Sequence, residues 1–204
     1  MQGLKQQPHR WLKRQKINGG KDRRMAVCCS PVIYKMRVYT YKTLLDKYER
    51  VPKLVRESAR NYSALDKIKG ANDAWWLLCD MYGHDVETEE VSYLLCLDTR
   101  NVLIGVFELS RGTVGNTAMN PREIIFKSLM TNAVKIIVAH NHPSGDVTPS
   151  NCDIDVTRRL KEACDVVGLI LTDHIIIGEN CYLSMKECDF IPKTNAVQKM
   201  AAEK

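Results

Sequence analysis

The chain has 204 residues, 45% of them hydrophobic, enough for one domain of ordinary size with a real core. No run of about 18 apolar residues occurs, which excludes a helical membrane span, and the basic start lacks the apolar stretch of a signal peptide. The net charge of +6 is concentrated at the start, where residues 1–24 hold eight basic side chains against one acid; the other 180 residues hold 22 basic and 23 acidic ones. The domain's own composition therefore does not support a basic DNA-binding face, whereas the leader can touch nucleic acid or an acidic partner.

Residues 1–35 read as a basic, disordered leader containing Gly19-Gly20, with Met25 and Met36 as alternative starts. Residues 36–62 read as an extended arm. Within it Met36–Thr43 alternates weakly and fits an edge strand, and Pro52 opposes a regular helix in the charged Tyr48–Tyr62 stretch. The domain proper is expected over 63–190, with 191–204 as a loose tail. Asn72 is placed to cap a helix that buries Ala74, Trp75, Leu77, Leu78 and Met81 and stops at Gly83. Of the pair Trp75-Trp76, one reads as core and one as half-exposed. Val91–Leu97 and Val102–Leu109 form a hairpin across Asp98-Thr99-Arg100-Asn101. Asn120-Pro121-Arg122-Glu123 opens a helix with Asn as cap and Glu at the third position, burying Ile124, Ile125, Ser128 and Leu129. Val134–Ala139 is short and β-branched, as a buried strand is. A helix over Asp153–Val167 closes at Gly168. Leu169–Gly178 and Cys181–Ser184 are strands, and Met185–Asp189 is a turn or helical stub. Strands alternating with crossing helices give an α/β fold, a mixed central sheet sandwiched by helices. The eight cysteines form no Cys-x-x-Cys pair and several sit in apolar runs, which points to free thiols in a reducing, cytoplasmic compartment.

The strand ending at Ala139 delivers His140 and His142. Residues two apart in a strand face the same way, so both imidazoles point to one side. A loop with Pro143, Gly145 and Pro149 leads to Ser150 and a helix whose first turn holds Asp153. Two imidazoles and a carboxylate are the three protein ligands of a catalytic zinc site with an open position for water; Fe²⁺, Mn²⁺ and Co²⁺ accept the same donors. Each part also has a plainer explanation. A buried histidine pair can be a satisfied polar cluster, and Ser150-x-x-Asp153 fits a helix capping box. The whole spacing is far harder to meet by chance. His174, in an apolar strand, reads as a hydrogen-bonded core histidine rather than a fourth ligand, and His9 and His84 have no visible partner. His140-Asn141-His142 spells the name of a nuclease motif that spreads those residues over a ββα unit. The H-x-E and P-C-x-x-C of zinc deaminases are absent.

His140-x-His142-x(7)-Ser150-x-x-Asp153 resembles the complete signature of the JAB/JAMM (MPN) metalloprotease superfamily. The wording His140-Asn141-His142-Pro143-Ser144-Gly145-Asp146, with Pro149-Ser150, resembles its RadC branch, as does Asp173-His174-Ile175-Ile176-Ile177-Gly178. The resemblance spans residues 63–189. It implies the JAB/MPN fold, similar to the cytidine-deaminase arrangement, with Zn²⁺ held by His140, His142 and Asp153. It also implies a glutamate base at the start of an earlier strand. Glu90 stands there and Glu89 is one residue off; alternation points them to opposite faces, so only one can serve, and Glu90 is favoured. The implied reaction is hydrolysis of an amide or isopeptide bond by metal-activated water. Glu90 moves the proton, and Ser150 steadies the oxyanion with the metal. Glu123 is accounted for by its place in a helix cap.

Three functions compete. One is a zinc metallopeptidase acting on a protein or peptide. Another is a DNA repair, recombination or mobile-element factor, in keeping with the family's name, whose only physical support is a possible weak DNA contact through residues 1–24. The last is a scaffold with a vestigial site, which the presence of His140, His142 and Asp153 disfavours.

Overall fold

Seven strands and three helices follow one another along the chain: β1 (Met36–Leu45), β2 (Pro52–Tyr62), α1 (Ala71–Tyr82), β3 (Glu90–Leu97), β4 (Leu103–Gly112), α2 (Pro121–Met130), β5 (Lys135–Asn141), α3 (Asn151–Val167), β6 (Ile170–Gly178) and β7 (Cys181–Ser184). This computed structural model describes residues 36–63, 65–83, 87–112 and 119–191. The leader, His9, His84 and the tail beyond Ile191 lie outside the described residues, as does the DNA contact expected of residues 1–24.

The strands form one mixed sheet in the order β2-β1-β4-β3-β5-β6-β7. β1 runs parallel to β4 and β5 parallel to β6; the other neighbours are antiparallel. β3 is buried along its whole length, and from Tyr93 to Leu97 it reads as a continuous apolar run rather than an alternating one. Alternation sends Ile137 and Ala139 of β5 into one core with α1, and Ile136 and Val138 into a second core with Ile124 of α2 and Leu160 of α3. The sheet is thus covered by α1 on one face and by α2 and α3 on the other.

The α3 stripe Asp153, Thr157, Leu160, Lys161 and Cys164 is buried, as 3.6-residue periodicity demands. Parallel β5 and β6 require a crossover, and α3 supplies it. The chain leaves the C-terminal end of β5 and enters the N-terminus of α3 nine residues past Asn141, counted to Ser150. That connection is what holds His140, His142 and Asp153 at one end of the sheet.

Several local expectations are corrected. β1 is not an edge strand: it lies between β2 and β4, and β2 forms the edge. The segment 36–62, read as an extended arm, is an antiparallel hairpin joined to the sheet. Gly70, not Asn72, caps α1; the Asp73 carboxylate reaches back to the Lys69 N–H (2.8 Å), so the helix starts earlier. In α2, Asn120 accepts from the Arg122 N–H as expected, but the Glu123 carboxylate pairs with Lys127. Lys127 is buried by that pair, while Leu129 is exposed.

No helix among the described residues is long and apolar enough to cross a membrane. The six described cysteines are free. Burial pushes the Cys96 thiol up to about 11 and the Cys164 thiol up to about 12, so both are packing groups.

Candidate metal centre

His140 is fully buried at the end of β5, and Asp153 is buried in the first turn of α3. The Nε2 atoms of His140 and His142 lie 3.0 Å apart. Asp153 Oδ1 is 3.2 Å from His140 Nε2, and Oδ2 is 3.6 Å from His142 Nε2. Two ligands of a tetrahedral zinc with bonds of about 2.0–2.1 Å stand roughly 3.3 Å apart, and the three observed separations bracket that value.

The protons on these rings follow from their partners. The Thr157 hydroxyl has one proton, and it donates to the Asp153 carbonyl (2.5 Å). The same hydroxyl oxygen must then accept from His174 Nδ1–H (2.6 Å). His174 is fully buried, and burial holds it well below its ordinary pKa, so the ring is neutral and its Nε2 is bare. That nitrogen accepts from His140 Nδ1–H (2.9 Å), which leaves Nε2 as the His140 atom that can offer a lone pair to a metal. His142 Nδ1–H donates to the Asp146 carbonyl (2.6 Å), with the same result for its Nε2. Two bare nitrogens and a carboxylate therefore face one another, an arrangement that calls for a cation. Without a metal the group must share a proton. Accordingly, hydrogen bonding to Asp153 raises the His142 pKa. Burial pushes the Asp153 carboxyl up, but His140 and His142 outweigh it and hold it well below the usual range. The donor set fits a divalent ion; His140, His142 and Asp153 can hold one.

The loop between β5 and α3 is fastened on both sides. The His142 N–H donates to the Ile177 carbonyl (2.8 Å), and the Gly145 N–H to the His142 carbonyl (2.9 Å). Gly145 takes φ +80°, which suits glycine. Gly178 of β6 lies so close to this loop that a Cβ would stand 2.3 Å from the Gly145 carbonyl oxygen and 2.8 Å from Val147 Cγ1. Gly178→Ala is therefore expected to cost about 1–3 kcal/mol. It should also weaken metal retention, because the Asp146 carbonyl that orients His142 sits on the displaced loop. Urea unfolding with and without zinc measures both effects.

Ser150 caps α3: its Oγ accepts from the Asp153 N–H (3.1 Å), and Asp153 Oδ2 accepts from the Ser150 N–H (2.8 Å) and hydroxyl (2.6 Å). The capping box and the ligand set thus share one carboxylate. Glu90 opens β3 and is buried. Ser92 pairs with His140, and continuing that antiparallel register by two residues sets Glu90 across from His142. Glu89 points the other way and is held by Arg111 (3.3 Å), which also grips Glu87 and Glu108. A cleft of about 420 Å³ adjoins His142, lined by Glu87, Thr88, Ser144 and Glu179 among others.

Sequence reasoning missed two supporting residues. Thr157 lies one helical turn from Asp153 on the buried stripe of α3, a polar residue where an apolar one would fit; that was the available signal. Asn141, between the two histidines, turns to the opposite face. Its amide accepts from the Val91 N–H (2.8 Å) and donates to the Glu89 carbonyl (3.0 Å), so it brackets Glu90 through the backbone. Nothing local in the sequence reveals that pairing.

A mixed sheet between helices, with a His-x-His strand end facing an aspartate in the first turn of the next helix, defines a JAB-type domain. The chain belongs to the RadC family: the family model described as RadC-like JAB domain matches residues 68–190. A UPF0758 protein of Clostridium botulinum (strain Eklund 17B / Type B) is 43% identical over 103 residues, 50% of this chain and 45% of its own. One from Clostridium perfringens (strain 13 / Type A) is 45% identical over the same length and shares, and one from Clostridium beijerinckii is 42% identical over 99 residues, 48% and 43%. The matched region is thus less than half the length of these curated relatives, whose name assigns no activity.

Proposed function

We propose that the chain is a zinc-dependent hydrolase of the JAMM type that cleaves an amide or isopeptide bond in a protein or peptide. The observation that carries this reading is the convergence of three acceptors at separations suited to one tetrahedral ion. His140, His142 and Asp153 would hold that ion. Once bound, zinc supplies Lewis acidity, bringing the pKa of a bound water toward neutrality and polarising a carbonyl. Glu90 takes the proton of the attacking water and returns it to the leaving nitrogen. Its place across from His142 supports this role, and the pairing of Glu89 with Arg111 favours Glu90 over Glu89. The Ser150 hydroxyl, turned away from the Asp153 carboxylate, donates to the developing oxyanion. The cleft beside His142 receives the chain flanking the bond. Free thiols suit a reducing, cytosolic compartment.

Elemental analysis of the purified protein tests the reading. Wild type and Glu90→Ala are expected to carry a single equivalent of zinc, and His140→Ala none. A screen of amide and isopeptide substrates should then find turnover that Glu90→Ala lowers by about 10²–10⁴-fold. Absence of metal from every form, even after zinc is supplied, would overturn the proposal.

A further inference from the structure

The family match begins at residue 68, after the β1–β2 hairpin. The hairpin is also where the charge changes sign. Residues 36–62 hold seven lysines and arginines against three acids, whereas residues 63–191 hold eleven against nineteen. The near-neutral composition of the domain thus conceals two regions of opposite charge. Two of the hairpin's three acids are already paired, Glu57 with Lys42 and Asp46 with Lys53.

The pairing register puts Arg37, Tyr39 and Tyr41 of β1 on one face with Asn61, Ala59 and Arg56 of β2. Tyr41 marks which face this is, because its ring packs on Phe107 (5.8 Å) toward the α2–α3 side. Arg37, Arg56, Ala59 and Asn61 are exposed, so the helix layer does not cover the face here. Arg56 lies 4.1 Å above the Tyr39 ring and Arg37 5.5 Å from it. Neither arginine has an ion-pair partner among the described residues. At the hairpin turn Tyr48 is 84% exposed.

A long edge strand needs charges to resist pairing with other chains. Lysines on an edge strand meet that need; it calls for no aromatic ring and for no arginine on the inner strand β1, so it does not explain an open face of arginines and tyrosines. An acidic peptide would use the charges and leave the rings idle. Unpaired bases use both: phosphates meet guanidinium groups, and bases stack on tyrosine rings and on guanidinium planes. A duplex hides the faces of its bases.

We propose that the β1–β2 face binds single-stranded nucleic acid, with phosphates on Arg37 and Arg56 and bases stacked at Tyr39. The test uses the full chain, a fluorescent oligothymidylate of about 20 nucleotides and a duplex of equal length, with anisotropy read over a salt series. The single strand is expected to bind more tightly than the duplex. Arg37→Gln with Arg56→Gln, both at exposed positions, should flatten the salt slope by about 1.4. Tyr39→Ala should lose about tenfold in affinity at an unchanged slope, with Tyr39→Phe restoring it. Lys13→Gln with Arg14→Gln in the leader should leave the Tyr39 effect intact. Equal binding by wild type and the double arginine variant would overturn the proposal, as would a duplex bound as tightly as the single strand. Salt-dependent self-association in sedimentation without oligonucleotide binding would assign the face to a second copy and overturn it too.

Discussion

Asp153→Ala is expected to abolish metal retention and to loosen α3, whereas Asp153→Asn should abolish retention alone. The two variants separate the two roles that this carboxylate carries. Oδ2 accepts from the Ser150 N–H and hydroxyl as the return half of the capping box, and Oδ1 faces His140 Nε2 at 3.2 Å. An asparagine oxygen keeps the bonds from Ser150, and its NH₂ group can donate to the bare His140 nitrogen. That satisfies the cluster without an ion and leaves a neutral, weaker ligand. Alanine removes both halves. Ser150 still caps the N–H of residue 153 in Asp153→Ala, so loss of the return half of the box should cost about 0.5–1 kcal/mol, the lower part of the range for a lost N-cap; metal-free Asp153→Ala should unfold at lower denaturant than metal-free wild type, and Asp153→Asn close to it. Added zinc should raise the Tm of wild type by mass action and leave both variants unmoved. Thermal unfolding with and without zinc, beside elemental analysis, reads all three. An Asp153→Asn protein that keeps zinc like wild type would reduce the carboxylate to a helix cap.

His174→Phe should weaken zinc binding by about 10–100-fold although His174 is no ligand. The effect runs through His140. His174 Nε2 is the acceptor for His140 Nδ1–H, and that bond keeps the lone pair of His140 on the side of Asp153 and His142. Phenylalanine leaves the His140 N–H and the Thr157 hydroxyl oxygen without their ring partner in a dry interior. Such an unsatisfied group costs about 1–3 kcal/mol. Asp173, next in the strand, steadies the position: its carboxylate accepts from the His174 N–H (2.8 Å), the Ser184 hydroxyl (2.6 Å) and the Lys186 N–H (3.1 Å). His174→Gln, whose amide can accept from His140 and donate to Thr157, should recover part of the affinity. Competition with a chromophoric chelator gives the affinities, and ring nitrogen chemical shifts report the His140 tautomer directly. Wild-type affinity in His174→Phe would remove the hydrogen-bond chain from the account of the site.

The candidate ligand set is legible in the sequence because its parts are local or nearly so. Alternation in β5 aligns His140 with His142, and Ser150 announces the start of α3 three residues before Asp153. Gly83 and Gly168, both with left-handed φ, end α1 and α3 where the sequence says they should. Where local signals compete, the structure departs from the sequence pattern. Asn72 looked like a cap, yet Asp73 could reach the Lys69 N–H and the helix began at Ala71. Leu129 fits the inward pattern, yet it is exposed, and Lys127, paired with Glu123, takes the buried side of that turn with Ser128.

By itself the sequence determined the α/β alternation, the candidate metal ligands and the shared capping box, since strand and helix periodicity act over a few residues. Tertiary structure alone decided the rest. Pairing between β3 and β5 set Glu90 across from His142 and let Asn141 hold the backbone around it, fifty residues away in the chain. Packing of α3 on β6 brought Thr157 and His174 together and thereby set the proton on His140. Pairing of β1 with β2 set Arg37 and Arg56 beside the Tyr39 ring on one open face. In each case the deciding interaction joins segments that only folding makes neighbours, and no local pattern encodes which partner a strand or a ring will meet.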